Sequence, residues 1–126
     1  KEQLIMAKTI LTVDDSRTIR EMLKAALIDA GMEVVQAEDG VHGLEVLETC
    51  DPDVIITDIN MPRMDGFGFI EAVRGSGRHR AIPILVLTTE SVDDKKDRAR
   101  RAGASGWIIK PFDPVKLVTA INRVAA

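Results

Sequence analysis

Short, continuous apolar runs alternate along this chain with longer stretches whose apolar residues recur every three or four positions. Thr9-Ile-Leu-Thr-Val13 is β-branched and ends in acidic residues, which predicts a strand. Ile19, Met22, Leu23, Ala26, Leu27 and Ala30 then line one face of a helix that Gly31 stops. Residues 33–37 predict a second strand, and Asp39-Gly40 turns the chain into a helix carrying Val41, Leu44 and Leu47 inward. Val54-Ile-Ile-Thr57 reads as a third strand, buried on both faces if the sheet is parallel. After a turn-rich loop from Asn60 to Gly66, a helix runs through Phe67, Ile70 and Val73. Residues 75–80 read as an exposed loop, and Ile84-Leu-Val-Leu87 as a fourth strand. Ser91 is placed to cap the following helix. Residues 105–109 predict a fifth strand, and Pro114 opens a last helix with Leu117, Val118, Ile121 and Val124 on its apolar face.

Five βα units in succession predict an α/β fold, a parallel sheet with helices on both faces, as a single domain over residues 1–126. Such sheets place ligands beyond the C-terminal ends of their strands, where the strand order reverses. Residues 1–5 read as a non-native remnant with Met6 as the native start, and residues 1–7 as a whole as a remnant or a disordered N-terminus.

Those strand ends carry the chemistry. The first strand is followed by Asp14 and Asp15, the third by Asp58, the fourth by Thr88 and Thr89, the fifth by Lys110 and Pro111. Asp15 alone could be a helix cap. Three carboxylates at one edge ask for more, because two like charges about 4 Å apart repel by roughly 4 kcal/mol at an effective dielectric of about 20. A cation offsets that cost, and an oxygen-only donor set suits Mg²⁺. Lys110 adds a fixed positive charge and Thr88 a hydroxyl. A nucleophile, a divalent cation, an ammonium and a hydroxyl together suit phosphoryl transfer. Asp58, alone at its strand end, is the natural nucleophile, and the adjacent pair is better placed to hold metal.

Composition narrows the alternatives. Formal net charge is −3, which argues against nucleic acid as the main partner. The lone Cys50 excludes an internal disulfide and a cysteine metal cluster, and fits a reducing cytoplasm. No apolar run is long enough to span a bilayer, so no membrane role is expected. His42 and His79 are too isolated to bind metal and are expected on the surface. Met61 and Met64 read as packing residues. The run Lys95-Lys96-Asp97-Arg98-Ala99-Arg100-Arg101 reads first as the solvated face of a helix, with an acidic docking partner as a lesser alternative. Val92, Ala99 and Ala102 are the few apolar anchors of that helix. A flavodoxin-like cofactor protein needs a neutral, phosphate-cradling first loop, which Asp14 and Asp15 oppose. A Mg²⁺-dependent phosphatase of this layout needs its nucleophile after the first strand.

Asp14-Asp15, Asp58, Met61-Pro62 with Met64-Asp65-Gly66, Thr88, Gly103-Ala-Ser-Gly106 and Lys110-Pro111-Phe112 together resemble the receiver domains of two-component response regulators, from about Lys8 onward. Without an output domain, the chain resembles the stand-alone chemotaxis type. The resemblance implies a flavodoxin-like (βα)5 sheet of order 2-1-3-4-5. It implies that Asp58 accepts a phosphoryl group from a histidine kinase, and that Asp15, Asp58 and the backbone carbonyl of Asn60 bind Mg²⁺, with Asp14 acting through a water. Lys110 would hold the acyl phosphate, Thr88 would move toward it, and the Lys110–Pro111 bond would be cis. Trp107 stands where the family usually has a switching Tyr or Phe, and the resemblance implies the same role for it; the alternative is an aromatic at the edge of the fifth strand without a switching role. The resemblance also implies that Asn60 and Glu90 would border the path of the attacking water in dephosphorylation. The protein would be a signalling switch, not an enzyme acting on external substrate. It would be a monomer whose partner, a flagellar motor switch protein or another effector, docks on the fourth helix, fifth strand and fifth helix. A phosphate sink, a phosphorelay intermediate and a receiver trimmed from a larger regulator remain as alternatives.

Overall fold

The computed structural model describes residues 7–125, and the expectation for the N-terminal remnant lies almost wholly outside them. Strands β1 (Thr9–Val13), β2 (Glu33–Ala37), β3 (Val54–Thr57), β4 (Ile84–Thr88) and β5 (Gly106–Ile109) alternate with helices α1 (Arg17–Asp29), α2 (Gly40–Leu47), α3 (Gly66–Gly75), α4 (Asp93–Ala102) and α5 (Pro114–Ala125). All strand pairs are parallel, in the order β2-β1-β3-β4-β5. Among the described residues no helix is long and apolar enough to cross a membrane.

The period of two in each strand sorts the core into two layers. Leu11, Val13, Ile55, Ile84 and Val86 face one way, onto Phe67, Phe69, Ile70 and Val73 of α3, Leu47 of α2 and Ala99 of α4. Ile10, Val54, Ile56, Leu85 and Leu87 face the other, onto Leu23 and Leu27 of α1 and Leu117 and Ile121 of α5. Strands buried on both faces explain why the central runs show no polar alternation. Met61 and Met64 pack against the first layer, as expected.

Several local expectations are corrected. Ser91 does not cap α4: the cap position is Val92, without a side-chain bond, and Asp93 and Asp94 face the positive end of the helix instead. Val92 is 54% exposed and anchors nothing, so α4 is held chiefly by Ala99, with Ala102 packed alongside. Met22 is also largely exposed, because Leu23 and Leu27 already fill the α1 contact. Strand β5 begins at Gly106, since the Ser105 hydroxyl accepts a hydrogen bond from the Ile84 amide. His79 is buried, where the segment before β4 passes beneath α2, with Nε2 2.9 Å from an oxygen of Asp51. His42 is half-buried, and its Nδ1 accepts from the Glu38 amide.

Candidate functional site

Sheet register assembles the site. Val13 pairs with Thr57, so Asp14 and Asp58 leave adjacent strands at the same level. The Asp58 amide donates to the Val13 carbonyl at 2.9 Å, which extends the ladder one step beyond the strands. Thr88 pairs with Ile109, and the Lys110 amide donates to the Thr88 carbonyl at 2.8 Å. The Lys110 side chain then reaches back across two strands. Its ammonium lies 2.9 Å from Asp14 Oδ2 and 2.9 Å from Asp58 Oδ2. The Lys110–Pro111 peptide is cis.

The three aspartates occupy different environments. Asp14 is 2% exposed, and its other oxygen accepts from the Ser16 amide at 2.9 Å. Asp58 is nearly as buried, and its Oδ1 accepts from the Ile59 amide at 2.6 Å. Asp15 is exposed and is not the helix cap; Ser16 takes that place by accepting from the Ile19 amide. Burial pushes the Asp14 carboxyl above its ordinary value, with Lys110 and the Ser16 amide opposing the shift. Burial alone would lower the Lys110 pKa, but the bonds that its ammonium donates to Asp58 and Asp14 outweigh it and hold the pKa above the ordinary lysine value. One carboxylate oxygen from each of Asp14, Asp15 and Asp58 lies within 4.8 Å of the others. That all-oxygen set, open to solvent on the Asp15 side, fits a hard divalent cation.

Around this centre Thr88 is fully buried, and its hydroxyl accepts weakly from the Glu90 amide at 3.4 Å. The Glu90 carboxylate accepts from Lys95 Nζ at 2.6 Å and from Asn60 Nδ2 at 3.3 Å. The Lys95 contact holds the Glu90 carboxyl below its ordinary value. The half-buried Trp107 donates its indole N–H to the Glu90 carbonyl at 3.0 Å. Asp14, Asp15, Asp58 and Lys110 thus meet at this edge, while Asn60, Thr88 and Trp107 are joined to one another through Glu90.

Residues 10–122 match the response regulator receiver domain family. The chain belongs to that family. The chemotaxis protein CheY1 of Helicobacter pylori is 42% identical over 117 residues, covering 91% of this chain and 94% of its own. The chemotaxis response regulator CheY4 of Vibrio cholerae superposes with a TM-score of 0.89 at 44% identity, covering 94% and 99% of the two chains. The receiver domain of sensor histidine kinase PA1611 from Pseudomonas aeruginosa PAO1, described with a magnesium ion coordinated in its active site cleft, superposes with a TM-score of 0.88 at 25% identity, covering 95% and 98%. The receiver fold therefore accounts for the order of the strands and for the acidic edge.

Sequence reasoning missed three contributors. The charged run of α4 is more than a solvated face: Lys95 pairs with Glu90, and Arg98 lies over the Phe67 ring at 4.1 Å. Asp39, read only as a turn residue, caps α2 through the His42 amide and binds Arg63. The Asp before a helix was a visible signal, whereas its partner 24 residues away was not. Cys50 is half-buried, and burial raises its thiol above the ordinary value, which disfavours the thiolate.

Proposed function

We propose that this receiver accepts a phosphoryl group on Asp58 from the phosphohistidine of a histidine kinase and thereby switches a partner-binding face, in a chemotaxis-type pathway of the cytoplasm. One observation carries the reading: a single ammonium, Lys110 Nζ, lies 2.9 Å from both Asp14 and Asp58 at the aligned strand ends. A lysine so placed neutralises a buried carboxylate before transfer and is positioned to hold a phosphoryl oxygen after it. The similarity to chemotaxis proteins CheY1 and CheY4 supports the pathway.

In the transfer, an Asp58 carboxylate oxygen forms a bond to phosphorus while the phosphorus–nitrogen bond of the donor breaks, and the departing imidazole nitrogen keeps the electron pair. Asp58 Oδ1 accepts from the Ile59 amide and Oδ2 from the Lys110 ammonium, so both carboxylate oxygens are held in a fixed orientation at the strand end. Asp15, Asp58 and the Asn60 carbonyl, with Asp14 behind them, would hold Mg²⁺, which when bound offsets charge on the phosphoryl oxygens. The Thr88 hydroxyl bonds only weakly at 3.4 Å and is free to turn toward the new anion. That movement releases the Glu90 amide, and Glu90 carries the carbonyl to which Trp107 is bonded. The site thus communicates with α4 and β5, and the face formed by α4, β5 and α5 is where an effector such as a motor switch protein would dock. Asn60 and Glu90, joined across the mouth of the site, border the path of a hydrolytic water.

Intact mass after incubation with acetyl phosphate, with and without Mg²⁺, tests this for the native chain and Asp58→Asn. A Mg²⁺-dependent phosphoryl adduct on the native chain alone is expected. No adduct on a folded, Mg²⁺-binding protein would overturn the reading and leave a scaffold that binds its partners constitutively.

A further inference from the structure

We propose that Arg63 is a positioning residue: clamped by Asp39, it holds the loop after Asp58 in the shape that binds the cation. The proposal rests on the reading of Asp15, Asp58 and the Asn60 carbonyl as cation ligands.

Arg63 has a φ of +63°, the one left-handed non-glycine among the described residues. Side-chain-bearing residues are strained in that region, and they persist there only when their surroundings impose it. Local bonds fold the loop tightly: the Met64 amide donates to the Pro62 carbonyl at 2.6 Å and the Gly66 amide to the Ile59 carbonyl at 2.8 Å. Two external contacts then fix it, and both come from the junction of β2 and α2. The Arg63 guanidinium grips Asp39 in bidentate fashion, Nε to Oδ2 at 2.7 Å and a terminal nitrogen to Oδ1 at 3.0 Å. The adjacent Gly40 amide donates to the Met64 carbonyl at 3.2 Å. A Cβ at Gly40 would lie 2.9 Å from that same carbonyl oxygen, so only glycine admits the contact.

Asp39 is a rigid anchor. It is 4% exposed, and its Oδ1 also accepts from the His42 amide at 2.9 Å. Bidentate pairing of this kind fixes orientation as well as distance. Glycine at position 63 would relieve the backbone cost, so an arginine there points to what its side chain does. The clamped segment begins within three residues of Asn60, and Mg²⁺ demands near-ideal octahedral geometry, so small loop displacements cost affinity. Residues outside the ligand set that orient it commonly change metal affinity tenfold or more.

Calorimetric titration of the full chain with MgCl₂, paired with thermal melts, tests the clamp. Arg63→Gly removes the ion pair and the backbone strain together. Its Mg²⁺ dissociation constant is expected to rise by about tenfold without a matching fall in melting temperature, and Arg63→Lys is expected between the two. Asp39→Asn retains the helix cap while losing the ion pair. It is expected to weaken Mg²⁺ similarly, and it carries the test if Arg63→Gly fails to fold. Native Mg²⁺ affinity in folded Arg63→Gly or Asp39→Asn overturns the clamp alone. Absence of Mg²⁺ binding by the native chain overturns the cation reading and the clamp with it.

Discussion

The guanidinium of Arg74, at the end of α3, donates two hydrogen bonds to the carbonyl of Gly103, at 3.0 and 2.7 Å. Its remaining nitrogen serves the carbonyls of Arg80 and Ile82 at 3.0 and 2.6 Å. One side chain thus ties the C-terminal end of α4 to α3 and to the entry of β4. Gly103 has a φ of +116° and presses on the Arg74 side chain, which leaves no room for a Cβ. Burial without an acidic partner lowers the Arg74 pKa, so the carbonyls alone accommodate its charge.

Replacing Arg74 by Met keeps the apolar stem and removes every donor. Unsatisfied, partly buried carbonyls put the cost at roughly 2 kcal/mol, about 8 °C in melting temperature for a chain of this size. Thermal denaturation checks this, and a change under 2 °C would mean that water replaces the guanidinium freely.

Gly66 admits no side chain. An added Cβ would meet the Asp58 carbonyl oxygen and the Ile59 backbone. Gly66→Ala must shift the loop that follows Asp58, at a cost of about 1–3 kcal/mol. It should slow formation of the acetyl phosphate adduct more than any stability loss explains, as timed intact-mass spectra would reveal. Native labelling rates in the folded variant would show that the loop yields elsewhere.

Asp14→Asn is expected to raise the melting temperature in the absence of Mg²⁺, by on the order of 1 kcal/mol or about 4 °C. The crowding of three carboxylates motivates this from sequence, but the structure changes the reason. Burial is the main cause raising the Asp14 pKa, and repulsion from Asp58 is the least. A group whose folded pKa is raised disfavours the fold when ionised, so the neutral amide should stabilise at pH 7. An unchanged or lower melting point would show that the bond from Lys110 outweighs desolvation.

Asp39 has the opposite sign. The bond from Arg63 outweighs burial and, with His42 adding to it, holds the carboxyl below its ordinary value of 3.8. Its stabilising contribution is therefore fully present above about pH 4 and lost as pH falls through the lowered folded value. Asp39→Asn, which retains a capping oxygen, should be less stable than the native chain at pH 7 and converge with it once the pH falls below the lowered folded value. Melting curves across that range check the sign. A gap that persists in acid would place the contribution in the hydrogen bonds rather than the charge.

Much of this molecule is legible along the chain because its cues are local. Five apolar runs, each followed by a helical period, mark the strands, and the Asp, Thr and Lys after four of them mark the edge where chemistry collects. Thr9 to Val13 can be read as a strand, and Asp14, Asp15, Asp58, Thr88 and Lys110 as a group, without any coordinates. Register does the rest: once Val13 lies beside Thr57, the two buried aspartates must meet.

What the sequence alone determined was the α/β alternation, the acidic edge and the phosphoacceptor candidate, because periodicity and residue type need only neighbours in the chain. The tertiary structure decided the rest. It buried His79 against Asp51, exposed Val92 and Met22, moved the cap of α4 from Ser91 to Val92, and joined Asp39 to Arg63, Glu90 to Lys95 and Arg74 to Gly103. The physical reason is shared. Burial and ion pairing depend on which surfaces of separate elements meet, and the partners in two of these bonds lie 24 and 29 residues apart.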